Sequence, residues 1–265
     1  MSARGRGAGA ARRGPRPPLI AVDVGNSDTV VGCFRGGGLD GFWRLSSHRA
    51  TADELRLVLE SLLRGAAAGW GSVVCSVVPG LTPAWTETLR AVTGRAPLEV
   101  TADSATIAVE VPDPASVGAD RLANAIAARR LHGTPAIVVD LGTATTFDCV
   151  SKAGAYVGGA IAPGVITSSE ELFRRAARLA RVELRRPERA LGRTSEEALR
   201  AGVVWGYAGL VDALVRRLAG ELGGRPKVVA TGGLARLLAP ECATIHDVDE
   251  ALTLHGMRLL WEERG

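Results

Sequence analysis

The sequence predicts an α/β fold built twice over, with a cleft where the two copies face each other. Two Asp-Gly turns carry that prediction. The first, Asp23-Val24-Gly25-Asn26-Ser27-Asp28-Thr29, closes the apolar run Leu19-Ile20-Ala21-Val22 and leads into Val30-Val31-Gly32-Cys33-Phe34. The second, Asp140-Leu141-Gly142-Thr143-Ala144-Thr145-Thr146, stands between Ala136-Ile137-Val138-Val139 and Phe147-Asp148-Cys149-Val150. A turn with little side-chain bulk lets backbone N–H groups approach phosphate oxygens. An Asp beside it can hold a cation that the phosphates share. One such hairpin is ordinarily a plain turn. Two, one in each half of the chain, argue for duplication.

Bulk properties narrow the class. The 265 residues are 46% apolar, enough for one large or two smaller cores. No run approaches the roughly 18 uncharged apolar residues of a membrane span, so the chain reads as soluble. The net charge of +4 misleads, because residues 1–18 hold five arginines and no acid. The remainder is therefore one charge negative, and the basic pI is no argument for nucleic-acid binding. That Arg/Gly/Pro-rich tail lacks an apolar core, so it is not a secretory signal and reads as a disordered extension. Cys33, Cys75, Cys149 and Cys242 are widely spaced and form no C-x-x-C pair. They suggest neither disulfides nor zinc and fit a reducing cytoplasm.

The elements follow in order. After the first hairpin, Gly36-Gly37-Gly38 reads as a turn and Phe42–Leu45 as a third strand. Thr51 caps a helix from Ala52 to about Arg64, with Glu54 completing a capping box. Ser72–Val78 is a continuous apolar strand of the kind buried inside a sheet. Thr82 is then an N-cap, with Pro83 at N1, for a helix to about Val92. Short strands are predicted near Leu98–Thr101 and Thr106–Val109. Pro112 and Pro114 punctuate the boundary between halves. Beyond them come a helix from Gly118 to about Leu131, the second hairpin, and a strand over Ala155–Ile161. A helix opens at Thr167 and reaches about Leu179. A long one spans Ser195 to Leu222, its Gly202, Gly206 and Gly209 permitting close packing against another element. Lys227–Ala230 is a strand, and Leu252 to Glu262 a final helix.

Strand, hairpin, strand, helix thus occurs twice. That order excludes a simple doubly wound sheet and favours a duplicated two-lobed actin/hexokinase-like (ribonuclease H-like) fold. The expected parts are the tail 1–18, an N-terminal lobe 19–116 and a C-terminal lobe 117–265.

Four further segments narrow the reading. They are Pro114-Ala115-Ser116-Val117-Gly118-Ala119-Asp120-Arg121, Asp140-Leu141-Gly142-Thr143-Ala144-Thr145, Gly158-Gly159-Ala160-Ile161-Ala162-Pro163-Gly164 and Ala230-Thr231-Gly232-Gly233. With Asp23–Ser27, in this order and spacing, they resemble type III pantothenate kinases over residues 19 to about 262. The P-x-x-x-G-x-D-R string is the most specific of them. The resemblance implies ATP-dependent phosphorylation of the pantothenate primary hydroxyl, the first step of coenzyme A synthesis. It further implies Mg2+ with ATP, a monovalent cation such as K+ or NH4+, and a cytoplasmic homodimer.

Phosphoryl transfer demands positioning and charge neutralisation more than covalent chemistry. The only lysines, Lys152 and Lys227, sit in no phosphate loop, so metal, backbone amides and arginine must neutralise the phosphates. Asp23 is the candidate for orienting magnesium-bound phosphates. Val24, Gly25, Asn26, Ser27, Asp28, Thr29 and Val30 form the ATP cradle with it, and Thr143, Gly232 and Gly233 complete the ATP set. The same Asp could simply stabilise its turn. Asp120 matches the family's general base, although an Asp in a first helical turn has its pKa lowered by the helix dipole. Arg121 offers a planar fork for a carboxylate. Gly118, Ala119 and Ser195 complete the expected substrate contacts, and Asp140 matches the monovalent-cation ligand. Three positions depart from the family pattern: Ser27 and Ser195 stand where Thr is usual, and no aromatic residue lies near Val111. The alternatives are a non-catalytic accessory relative, another small-molecule kinase such as a sugar kinase, or a protein acting on RNA or membrane through its tail.

Overall fold

A computed structural model describes residues 17–176 and 181–264. Two sheets of five strands have the same plan. In the first, β1 (Leu19–Val24), β2 (Asp28–Arg35), β3 (Gly38–Ser46), β4 (Gly71–Ser76) and β5 (Leu98–Glu99) lie in the order β3-β2-β1-β4-β5. In the second, β6 (Ala136–Leu141), β7 (Ala144–Val150), β8 (Tyr156–Pro163), β9 (Lys227–Thr231) and β10 (Asp247–Val248) lie in the order β10-β9-β6-β7-β8. In each, a β-meander of three antiparallel strands continues into parallel ones. The two-lobed, actin/hexokinase-like architecture expected from the sequence is this arrangement.

Helices occupy three layers. Apolar residues at helical spacing place α1 (Ala52–Leu63) and α2 (Thr82–Thr93) on one face of the first sheet, with Leu59, Leu63, Trp85 and Leu89 packed against Ile20, Val22 and Val74. On the far face of the second sheet lie α4 (Val165–Arg175), α5 (Ser195–Leu222) and α6 (Ala235–Leu238). Between the sheets are α3 (Ala119–Ala127) and α7 (Leu252–Arg264), their Leu122, Ile126, Leu252 and Met257 sharing one core with Ala21, Cys75, Val138 and Val229. The two helices approach so closely that a Cβ on Gly256 would stand 1.9 Å from the Ala123 carbonyl oxygen.

Some local expectations are corrected. The Thr51–Glu54 capping box is formed, but Thr82 is the first helical residue rather than the cap, its hydroxyl bonding Ser76 and the Val78 carbonyl. Residues 106–109 form no strand, only an isolated bridge from Val109 to Tyr156. The α-helix from 119 gives way at Ala128 to a π-helical turn ending at His132. Among the described residues, nothing lies within 4 Å of where a Cβ on Gly202, Gly206 or Gly209 would stand. The helix that carries them, α5, is long and apolar enough to cross a membrane by length and composition, yet its Val204, Val211 and Val215 are buried in the second core. The four cysteines are free and buried. Residues 1–16 of the tail, and Leu179 at the expected end of α4, lie outside the described residues.

Candidate functional site

The sheets bring the two Asp-Gly turns face to face. In the first, Gly25 N–H donates to the Asp28 carbonyl at 3.0 Å. In the second, Gly142 N–H donates to the Ala144 carbonyl at 3.0 Å. The tips meet across the cleft, where the Ser27 and Thr143 hydroxyls are hydrogen-bonded at 2.8 Å. The first turn is braced from β3 and the loop after it: Ser47 Oγ donates to the Gly25 carbonyl at 2.6 Å and lies 2.8 Å from Thr29 Oγ1, and Arg44 pairs with Asp28 at 3.1 Å.

Asp23, Gly25, Asn26, Asp28, Val30, Asp120, Asp140, Thr143, Gly232 and Gly233 all line this one cleft. Val24 and Thr29 are buried, so only their backbones are placed to serve a ligand. Asp120 enters from the first turn of α3, which places it beside residues from both sheets. Asp140 is held from two sides. Its Oδ2 accepts from Asn124 Nδ2 at 3.2 Å, while a Cβ on Gly232, whose φ is +90°, would stand 2.5 Å from its Oδ1. Only glycine fits there. Asn124 lies one turn beyond Asp120 on α3 and also accepts from Thr253 Oγ1 of α7 at 2.8 Å.

The electrostatics are acidic. Asp23, Asp28, Asp120, Asp140 and Glu250 line the cleft, with Arg44 the only cationic side chain among its lining residues. Burial, then the charges of Asp120 and Asp140, pushes Asp23 up to about 7. Burial, then Asp120, pushes Asp140 up to about 6. Asp120 is also raised, because burial outweighs the Arg121 N–H bonded to its carboxylate at 2.8 Å. The helix terminus alone would lower it, so desolvation decides the direction. A polyphosphate entering so acidic a cleft must arrive with cations. Among the described residues no three acidic, His or Cys side chains converge tightly enough to grip one ion. The carboxylates that do line the cleft are donors of the kind that hold Mg2+ one or two at a time, phosphate oxygens and water completing its shell.

The structure does not bring every expected residue to the cleft. Arg121 turns into the second sheet, where Nε meets Asp148 Oδ1 at 2.6 Å and Nη2 donates to the Phe147 carbonyl at 3.2 Å. Ser195 opens α5 behind its Thr194 cap and lines a separate apolar groove between α4 and α5 with Leu172, Leu199 and Val203. Gly118 and Ala119 form the start of α3, and Val111 lies 3.8 Å from where a Cβ on Gly158 would stand. Sequence reasoning missed Arg44, Asn124, Asp148 and Thr253. Two left a signal: Asn124 follows Asp120 at i+4 on one helix face, and Asp148 is an acid inside an apolar strand.

Residues 19–217 match the model of the type III pantothenate kinase family. The type III pantothenate kinase of Moorella thermoacetica is 45% identical over 250 residues, covering 92% of this chain and 98% of that one. Among solved structures, a candidate Baf family transcriptional activator from Campylobacter jejuni has a TM-score of 0.60 at 20% identity, covering 93% of this chain and 98% of that one. MreB 5 of Spiroplasma citri, bound to AMPPNP, has a TM-score of 0.54 at 12% identity, covering 94% and 97%. At such identities the structural likeness speaks for the fold alone.

Proposed function

Because the chain belongs to the type III pantothenate kinase family and so catalyses ATP-dependent phosphorylation of pantothenate in coenzyme A synthesis, we propose the following roles for its residues. The observation that carries them is the meeting of both hairpins and Asp120 in one cleft. Backbone amides of the first turn take the phosphates, with Asp23 beside them to hold Mg2+ through the nucleotide. Bound Mg2+ supplies charge neutralisation that this acidic cleft lacks. Gly232 and Gly233 present their backbone to the adenosine, with open space where a Cβ on Gly233 would stand.

Asp120 is the general base. The substrate's primary hydroxyl oxygen attacks the γ-phosphorus, its proton passes to the Asp120 carboxylate, and the bond from that phosphorus to the β–γ bridging oxygen breaks to release ADP. A carboxyl raised by burial suits a base better than one lowered by a helix terminus. Arg121 anchors the substrate carboxylate, and Asp140 is the ligand for K+ or NH4+.

The working form is a cytoplasmic homodimer. Leu172 is exposed on the α4–α5 groove and Ile166 is exposed on the same helix, and the open glycine face of α5 allows a second helix to approach. Ser195 lies on that groove, so it reaches a substrate only across such an interface. Leu199→Asp should then yield monomers in sedimentation, whereas an unchanged mass would remove this interface.

ATP consumption with pantothenate against a panel of sugars, with and without potassium, tests the whole reading. Consumption with pantothenate alone, stimulated by potassium, is expected. A sugar that is consumed faster would overturn it.

A further inference from the structure

Asp148 stands in the middle of β7, opposite Val138 of β6 and Gly159 of β8, with no solvent exposure. A carboxylate there is costly unless it is paired. Its pair is Arg121: burial pushes the Asp148 carboxyl up, and the guanidinium at 2.6 Å pulls it back toward the charged form. Arg121 is held on three sides. Nε goes to Asp148, Nη2 to the Phe147 carbonyl, and the guanidinium carbon lies 5.8 Å from the Tyr156 ring. The side-on edge of the fork, Nε with Nη2, is thus consumed inside the protein. The end-on edge, Nη1 with the second Nη2 hydrogen, has no such partner among the described residues. Gly159 is needed beside this pair, since a Cβ there would stand 1.7 Å from the Phe147 carbonyl oxygen that Nη2 bonds and 3.1 Å from Nη2 itself.

The duplication shows that the fold itself does not require this acid. Ala21 pairs with Gly32 in the first sheet as Val138 pairs with Asp148 in the second. At Gly32 the neighbour is the apolar Leu254, 2.8 Å from an added Cβ. A buried ion pair is a poor stabiliser compared with such packing, so its presence in one lobe only points to a task.

We propose that Asp148 is a positioning residue that grips the inner edge of Arg121 and aims its end-on edge at the substrate carboxylate. This rests on the reading of Arg121 as carboxylate anchor. It also commits to a geometry: the substrate is met end-on, and Asp148 stays bonded to Nε while the substrate is bound.

The parent enzyme tests it directly. In protein labelled with 15N-arginine, the Nε–H resonance of Arg121 is identified by its loss in Arg121→Lys. It should persist, protected from exchange, when pantothenate and a non-hydrolysable ATP analogue with Mg2+ are added. Loss of that protection on adding pantothenate would overturn the proposal, because Arg121 would have left Asp148. In turnover, Asp148→Asn should raise the KM for pantothenate about tenfold and leave kcat and the KM for ATP within about threefold. It should add nothing to Arg121→Lys. Full additivity of the two changes would also overturn it. If Arg121→Lys leaves the pantothenate KM unchanged, the anchor reading fails instead. Should Asp148→Asn not fold, the resonance measurement decides alone.

Discussion

The two hairpins descend from one plan and differ by one residue. In β1–β2, Asp23 pairs with Val30, and in β6–β7, Asp140 pairs with Thr146. The first loop is therefore longer by one, and it spends the extra length on exposed polar groups at Asn26, Ser27 and Asp28. The second is tighter and wedges its Asp between Gly142, Gly232 and Asn124. A longer, amide-rich turn suits phosphates, and a tightly held carboxylate suits a single ion. On the proposed roles, the duplicated geometry is divided into two tasks by changes of one or two residues.

The largest expected effect comes from the group that belongs to neither hairpin. Asp120→Asn keeps the shape and removes the proton acceptor, so kcat should fall ~10²–10⁴-fold. Binding of ATP, measured by calorimetric titration, should be nearly unchanged. Turnover within a few-fold of the parent would reject Asp120 as the base.

Next is the carboxylate anchor. Arg121→Lys replaces a fork by a point charge and should raise the KM for pantothenate about 10- to 150-fold, the equivalent of losing roughly 1.5–3 kcal/mol. The KM for ATP should move little. Pantothenol, which keeps the hydroxyl and lacks the carboxylate, should be disfavoured by the parent to a similar degree. Equal use of both compounds would redraw the site.

Gly232→Ala sharpens the contrast between hairpins, because no equivalent contact is made at Asp23. The new Cβ would meet Asp140 Oδ1 and the Leu141 backbone at 2.5–2.7 Å, at a φ of +90°. A destabilisation of roughly 1–3 kcal/mol is expected, read as a lower Tm together with weaker stimulation by potassium. An unchanged Tm would show that Asp140 is not wedged.

A further effect is one of pH. Asp23 and Asp140 have folded pKa values of about 7 and about 6, above that of an unfolded Asp. Between about pH 4 and 7 the folded protein therefore binds more protons than the unfolded chain. Stability of the nucleotide-free protein should fall as pH rises through that window and level off above it. Asp23→Asn should flatten the slope, and a parent Tm that rises from pH 4 to 7 would contradict the burial of these acids.

Much of this was legible in the sequence, for identifiable reasons. Strand periodicity and the Asp-Gly turns marked both sheets, and the Thr51 capping box fixed the start of α1. The proposed site residues stood out because their acids and glycines cluster in short motifs at strand ends and at one helix start. What stayed hidden depends on contacts across elements. Arg121 reads as a free fork until β7 supplies Asp148. The pKa of Asp120 has the wrong sign until the sheets bury it. Ser195 looks like a cleft residue until α5 carries it to the opposite face of the second sheet, and the glycines of α5 have no partner among the described residues.

The division of labour between the hairpins is tested most directly by titrating AMPPNP into Asp23→Asn and Asp140→Asn, with Mg2+ and K+ varied separately. Asp23→Asn should lose most of the dependence on Mg2+ and keep that on K+, and Asp140→Asn should do the reverse. If both variants lose the same dependence, or neither loses any, the two aspartates do not hold separate cations and the account of the cleft is wrong.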